Sequence, residues 1–184
     1  LEFRRVLFRS GAALDQLGRA GKRVRVDPAA APSWVFDRLS AANATILRGE
    51  DPVQLPKACK NPVELRGTRA AHLRDGVSLT RFLAWLAREA PGGRLTELDA
   101  GARLAELRAE NPELRDLSFD SITGAGPNGA IVHYRATEAT NRPIRSGELF
   151  LVDSGGQYPD GTTDVTRTIA VGTPGTEERD RKST

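Results

Sequence analysis

Two aspartates, Asp153 and Asp164, fall in the stretch 149–168, which reads as one β-hairpin. Its arms are the apolar run Leu149-Phe150-Leu151-Val152 and the β-branched run Val165-Thr166-Arg167-Thr168, joined by a Gly/Pro/Asp-rich turn. Folded about the Tyr158-Pro159 midpoint, the hairpin makes the two aspartates directly opposed cross-strand partners, a position that holds Cβ atoms about 4.5–5.5 Å apart. Carboxylates held so close repel unless a proton or a cation lies between them. The pair is therefore a candidate site for a divalent metal. Alternation sets Thr162, Asp164 and Thr166 on one face and Thr163, Val165 and Arg167 on the other. Asp153 ends a strand apolar enough to be entering a core, where a carboxylate needs a partner. From these residues alone an alternative stays open: Asp153 caps the turn through its own backbone and Asp164 pairs with a cation such as Arg167.

The chain has two histidines, His72 and His133, both ahead of the hairpin. His133 follows Gly124-Ala125-Gly126-Pro127-Asn128-Gly129, whose glycines formally satisfy the G-x-G-x-x-G dinucleotide pattern. That pattern binds a pyrophosphate only where its last glycine opens a helix. Here Pro127 sits inside the turn and Ala130-Ile131-Val132-His133-Tyr134 reads as β-like, so the segment is expected to be a hairpin-like loop presenting His133. His72 lies two turns before Leu79 and reads as a half-buried packing residue near the apolar stripe of a helix. Cys59 is the single cysteine, which excludes an internal disulfide and a Cys-rich zinc site; no activating neighbour marks it as a nucleophile.

The wording around the aspartates carries a resemblance. Val152-Asp153-Ser154-Gly155 followed by Asp160-Gly161-Thr162-Thr163-Asp164-Val165-Thr166-Arg167-Thr168 is similar to the metal-binding hairpin of the pita-bread (M24) metallopeptidases. Upstream, Gly126-Pro127-Asn128-Gly129-Ala130-Ile131-Val132-His133-Tyr134, Ala71-His72-Leu73-Arg74-Asp75-Gly76 and Phe82-Leu83-Ala84-Trp85-Leu86 resemble the long, cytosolic-type Xaa-Pro aminopeptidases of that group. The resemblance runs from about residue 21 to about residue 179, more strongly after Asn61. It implies that Asp153 binds one metal of a dinuclear site, that Asp164 bridges both, and that His133 stands at the substrate pocket outside the metal's own ligands. The implied metal is manganese, with zinc or cobalt also compatible with carboxylate oxygens. The implied reaction is hydrolysis of the bond between an N-terminal residue and a following proline by a metal-activated water. Its substrate is a peptide with proline second, and a homodimer is open for the intact protein. Proline dipeptidase is the competing activity within the family, and a non-catalytic binding module of the same fold is the competing class.

The family completes its site with one histidine and two glutamates from a second half of the catalytic domain, and this chain has no histidine after His133. The expectation is a fragment with half a site, inactive alone. Residues 1–10 fit no helical cap, no strand alternation and no family segment, and read as translated adaptor sequence. Residues 181–184 likewise read as a foreign tail, following a helix that Thr176 should cap.

Composition adds exclusions. The net charge of +3 and pI near 9.4 invite a nucleic-acid reading. However, residues 1–10 hold three arginines against one glutamate, and residues 181–184 hold Arg181 and Lys182; without them the charge falls to −1. Few aromatics remain to build a stacking surface, so no nucleic-acid partner is expected. No run approaches the ~20 apolar residues of a membrane span, and Val6-Leu7-Phe8 is too short for a secretory signal, so a cytoplasmic location is expected.

The elements that must position these residues can be read coarsely. Residues 11–58 give a strand at 22–27, a helix at 31–42 and a strand at 45–47, the end of a preceding α/β domain. Residues 59–180 form the first half of the catalytic domain. Asn61-Pro62-Val63-Glu64 signals a helix start, with Asn61 as cap and Glu64 reaching back, and the helix runs to about Ala90 with Leu79, Phe82, Leu83 and Leu86 facing a core. Thr96 caps a second helix through about Glu110. Two helices followed by strands predict an α+β fold.

Overall fold

The computed structural model describes residues 2–176; the helix start expected beyond Thr176 and the tail at 181–184 lie outside the described residues. The chain divides into two compact units, Leu1–Lys60 and Asn61–Thr184.

The first unit runs α1 (Glu2–Arg19), β1 (Arg23–Val26), α2 (Ser33–Ala41), β2 (Thr45–Arg48) and α3 (Gln54–Ala58). Residues 2–10, which the sequence assigns to no element, are the first turns of α1; the stretch to Ser10 holds neither Gly nor Pro, so nothing in it interrupts a helix. β1 and β2 are parallel, with Val24 beside Ile46, and α2 is the crossover that a parallel pair requires. Arg38 ties α2 to α1 through two bonds of 2.6 Å to the Asp15 carboxylate. The expected strands and helix are found within a residue or two of their predicted ends.

The second unit opens with α4 (Pro62–Glu89). Asn61 Oδ1 accepts from the amides of Val63 and Glu64, and the Glu64 carboxylate accepts from the Asn61 amide at 2.8 Å, the reciprocal cap predicted from sequence. The buried stripe of α4 is Ala71, Asp75, Ser78, Leu79, Phe82 and Leu86. His72 is not half-buried within it, as the sequence reading had it. It is exposed, and its Nδ1 lies 2.8 Å from the Thr68 carbonyl oxygen of its own helix. The stripe is centred on Ala71, Asp75 and Phe82, which turns His72 past its edge. A 3-10 turn at Ala90–Gly92 and Gly93 at φ 68° end the helix. α5 (Glu97–Ala109) then starts with a second reciprocal cap, Thr96 with Asp99.

The strands that follow are β3 (Asp116–Leu117), β4 (Ile122–Ala125), β5 (Leu149–Ser154), β6 (Gly156–Tyr158), β7 (Gly161–Thr162) and β8 (Val165–Ala170). They make two antiparallel three-stranded sheets, ordered β4-β5-β8 and β3-β6-β7. The core lies between the helices and the first sheet: Phe82, Leu86 and Ala90 from α4 and its end, Ala100, Leu104 and Leu107 from α5, and Ala125, Phe150 and Val152 from the strands. Helices thus cover one sheet face, and β5 alternates buried Phe150, Val152 and Ser154 with half-buried Leu151 and Asp153 on the other. The architecture is α+β, as expected.

Candidate metal centre and the loop beside it

Asp153 lies near the end of β5 and Asp164 immediately before β8, but they are not directly opposed. The hairpin turns at Pro159-Asp160, with Tyr158 paired to Gly161 and Asp153 paired to Thr166. This corrects the register read from sequence, which centred the turn one residue earlier. The reason is the docking of the turn on α4: a Cβ at Gly161 would stand 3.0 Å from Thr68 Cα and 3.2 Å from Ala71 Cβ, a close approach that favours glycine as the first residue after the turn. Moving the midpoint by one residue moves the pairing by two, which sets Thr166 rather than Asp164 opposite Asp153. Asp164 lies one residue before β8, outside the paired positions.

The partners of the two carboxylates differ. Asp153 is half-buried and accepts a hydrogen bond of 2.9 Å from the Thr166 hydroxyl. Asp164 is exposed and has no hydrogen bond or ion pair among the described residues. The structural alternative raised from sequence is not realised: Asp153 sits in a strand rather than capping a turn, and the Arg167 guanidinium donates to the Thr166 carbonyl.

The backbone that carries Asp164 is fixed from below. Its neighbour Thr163 is fully buried, donates its amide to the Gly156 carbonyl at 2.9 Å, accepts the Gly156 amide at Oγ1, and accepts the Ser118 hydroxyl at its own carbonyl. Gly155 allows this approach, since a Cβ there would overlap the Thr163 carbonyl. Tyr158 donates its hydroxyl to Asp75 at 2.9 Å, and Asp75 forms a two-point ion pair with Arg108, at 2.7 and 3.0 Å. Both members of that pair are about 1% exposed or less. Burial pushes the Asp75 carboxyl up, but Arg108, joined by the Tyr158 and Thr163 hydroxyls, outweighs it and holds the group below its ordinary value. Burial first, and Asp75 second, push the Tyr158 phenol far up. At the hairpin tip Arg74 donates to Asp160, forms an ion pair with Glu113 and lies over the Tyr158 ring.

His133 lies outside this hairpin. Residues 130–134 are not the β-like run expected: a 3-10 turn covers Gly126–Ala130, and the chain then turns at His133, whose φ is +54°. Ile131 and Val132 are 53% and 83% exposed, so the β-branched residues find no sheet neighbour, and propensity without such a neighbour does not make a strand. The loop does present His133, which is exposed, while the next residue, Tyr134, is buried.

Sequence reasoning missed the buried polar residues beneath these side chains. Asp75 left a signal, a charged residue at helical spacing from Leu79 and Phe82 inside an apolar stripe. Glu97 left none, since an acid in the first turn of a helix has an ordinary explanation in the helix dipole.

Residues 66–182 match metallopeptidase family M24. The chain belongs to that family. It is 43% identical over 144 residues to a probable Xaa-Pro aminopeptidase P of Coccidioides posadasii, an overlap of 77% of this chain and 22% of that one. It is 42% identical over 140 residues to aminopeptidase P2 of Arabidopsis thaliana, covering 76% of this chain and 20% of the relative. Among solved structures it resembles the X-prolyl aminopeptidase of Caenorhabditis elegans, a cytosolic enzyme with a dinuclear active site, at a TM-score of 0.75 and 31% identity over 91% of this chain and 28% of that one.

This M24 chain therefore spans about a fifth of the length of the curated relatives it matches. The helices and antiparallel sheets of the second unit are part of a pita-bread domain. Among the described residues no three His, Cys, Asp or Glu side chains cluster as a metal site, and no helix is long and apolar enough to cross a membrane.

Proposed function

We propose that the protein to which this chain belongs is a metal-dependent Xaa-Pro aminopeptidase, with Asp153 and Asp164 as metal ligands and His133 at the substrate pocket. The observation that carries the reading is the pair of aspartates on the β5–β8 hairpin of an M24 chain, one of them without a hydrogen bond or ion pair among the described residues. The donor set fits a hard divalent cation: among the described residues neither Asp164 oxygen has a partner, and Asp153 has spent one bond on a neutral hydroxyl. Manganese is the proposed metal, at two ions per site. When bound, such ions lower the pKa of water and polarise the scissile carbonyl.

The chain's own residues then divide the work. Asp153 and Asp164 hold the ions on the exposed sheet face, Thr166 orients the Asp153 carboxylate, and the buried Thr163 and Tyr158 fix the hairpin. His133 stands ready to hydrogen-bond the substrate. Two carboxylates are fewer ligands than a hydrolytic centre needs, so the 184-residue chain alone is expected to bind metal weakly and to turn over nothing.

The test has two arms. Manganese added to the labelled chain should broaden the NMR signals of residues 153 and 164–166 before others, and Asp164→Asn should remove the effect. The product of the complete reading frame, with manganese, should release the N-terminal residue from a peptide with proline second and lose more than about 100-fold in rate on Asp164→Asn, beyond the 10–100-fold typical of residues behind the ligands. Robust turnover by the 184-residue chain, or broadening elsewhere, refutes the assignment.

A further inference from the structure

Glu97, the first residue of α5, is fully buried and has no part in the reading above. Its Oε1 accepts from the Ala125 amide at 2.7 Å and from Asn128 Nδ2 at 3.0 Å. Its Oε2 accepts from the Tyr134 hydroxyl at 2.8 Å and from the Arg142 amide at 3.3 Å. Asn128 Nδ2 also stands 2.7 Å from the Tyr134 oxygen. These donors enter, occupy and leave the loop between β4 and β5 that carries His133. The Arg142 guanidinium closes the same loop by donating to the Ala125 carbonyl at 2.6 Å.

A buried carboxylate is a poor way to fill space, since an apolar side chain of similar volume does so without desolvating a charge. What Glu97 supplies is a fixed point for a segment with no strand of its own. Tyr134 is one peptide bond from His133. With the Tyr134 ring drawn inward to Glu97, the chain reverses at His133 with φ +54°, a region that residues other than glycine seldom adopt, and the imidazole is turned outward. The strain is local and the anchor next to it is buried and saturated with donors, the arrangement in which an unfavourable backbone persists.

We propose that Glu97, acting through Tyr134, is a positioning residue for His133, fixing where its imidazole stands. The proposal rests on the assignment of His133 to the substrate pocket. Its test is a double-mutant cycle on the product of the complete reading frame. Tyr134→Phe removes one hydroxyl and keeps the ring, so the fold survives where Glu97→Gln, which sets a donor against donors, could abolish it. Tyr134→Phe, which removes the hydroxyl's contacts with Glu97, Asn128 and the Thr140 carbonyl, should lower kcat/KM by at least roughly 3-fold, the low end for a single hydrogen bond, and should have no further effect once His133 is alanine. Equal losses in both backgrounds overturn the positioning role. If His133→Ala leaves kcat/KM unchanged, the assignment of His133 itself falls, and the proposal with it. A readout independent of activity uses the 184-residue chain: Tyr134→Phe should speed amide hydrogen exchange in residues 126–142 and leave α4 and α5 unchanged. Acceleration throughout the unit would show a loss of global stability and would count against the proposal.

Discussion

Asp153 and Asp164 differ in how their oxygens are held, and that difference is testable. Thr166 constrains Asp153 with one hydroxyl; Thr166→Val keeps the shape and removes the bond, and should weaken manganese binding about 10-fold, at the low end for a residue behind a ligand. A paramagnetic relaxation titration reads this directly, and unchanged affinity would show that Thr166 orients nothing. Asp75 makes a larger contribution. Asp75→Asn leaves the buried Arg108 without its counter-charge and should cost about 3–5 kcal/mol, against about 1 kcal/mol for the single hydrogen bond lost in Tyr158→Phe. Because the Asp75 carboxyl is held below its ordinary value of 3.8 in the fold, its stabilisation is complete above that pH and is lost as pH falls through the depressed folded value. The acid limb of stability should therefore flatten in Asp75→Asn, as followed by thermal melts between neutral pH and acid. Asp153 and Asp164 stood out in the sequence as acids within a β-hairpin, but the register that pairs Asp153 with Thr166 did not. Asp75 was half-legible, as a charge in an apolar stripe, and Glu97 was not legible, because its donors come from residues 28 to 45 positions away.

At the scale of elements, the hairpin is placed by α4 as much as by its own turn. Gly67 faces the Asp160 carbonyl so closely that a Cβ would overlap it, and Gly161 packs on Thr68 and Ala71. Two effects oppose each other in Gly67→Ala. Helix propensity favours alanine by about 1 kcal/mol, while overpacking of this kind costs about 1–3 kcal/mol. The clash is with backbone rather than with a side chain that could swing away, so the penalty should win. Gly67→Ala is expected to lower the melting temperature and to shift the amide signals of residues 158–162, whereas Gly76→Ala, with open space at its Cβ, should stabilise. If both glycines respond alike, the contact with the hairpin carries no weight. This contact also explains why the register was misread. The turn residues Tyr158-Pro159-Asp160-Gly161 allow more than one centre, and what selects Pro159-Asp160 is a helix some ninety residues earlier in the chain. The helix starts were read correctly because both caps are local: Asn61 with Glu64, and Thr96 with Asp99, are complete within four residues. Residues 130–134 failed for the opposite reason, since β propensity needs a neighbouring strand to express itself.

At the scale of the whole chain, what matters is apolar surface that the second unit leaves uncovered. Ile131 and Val132 stand beside His133, and Leu73 and Val77, one turn apart on α4, are 76% and 60% exposed. Single exposed apolar residues are ordinary, but neighbouring ones make a patch through which proteins associate. The sheet β4-β5-β8 also ends on β8, whose outer edge pairs with no further strand among the described residues. Unpaired edges template association. Both features act in the same direction, so the 184-residue chain should self-associate as its concentration rises, visible as growth of heavier species in sedimentation velocity. The edge and the patch can be separated: Thr168→Lys places a charge on the exposed face of β8, and Val132→Ser relieves the patch beside His133. If edge pairing drives association, Thr168→Lys restores monomer and Val132→Ser does not; the reverse result assigns it to the apolar surface. A monodisperse monomer with a sharp cooperative melt at every concentration would mean that the exposed face is satisfied as it stands, and that this part of a pita-bread domain is stable without further covering.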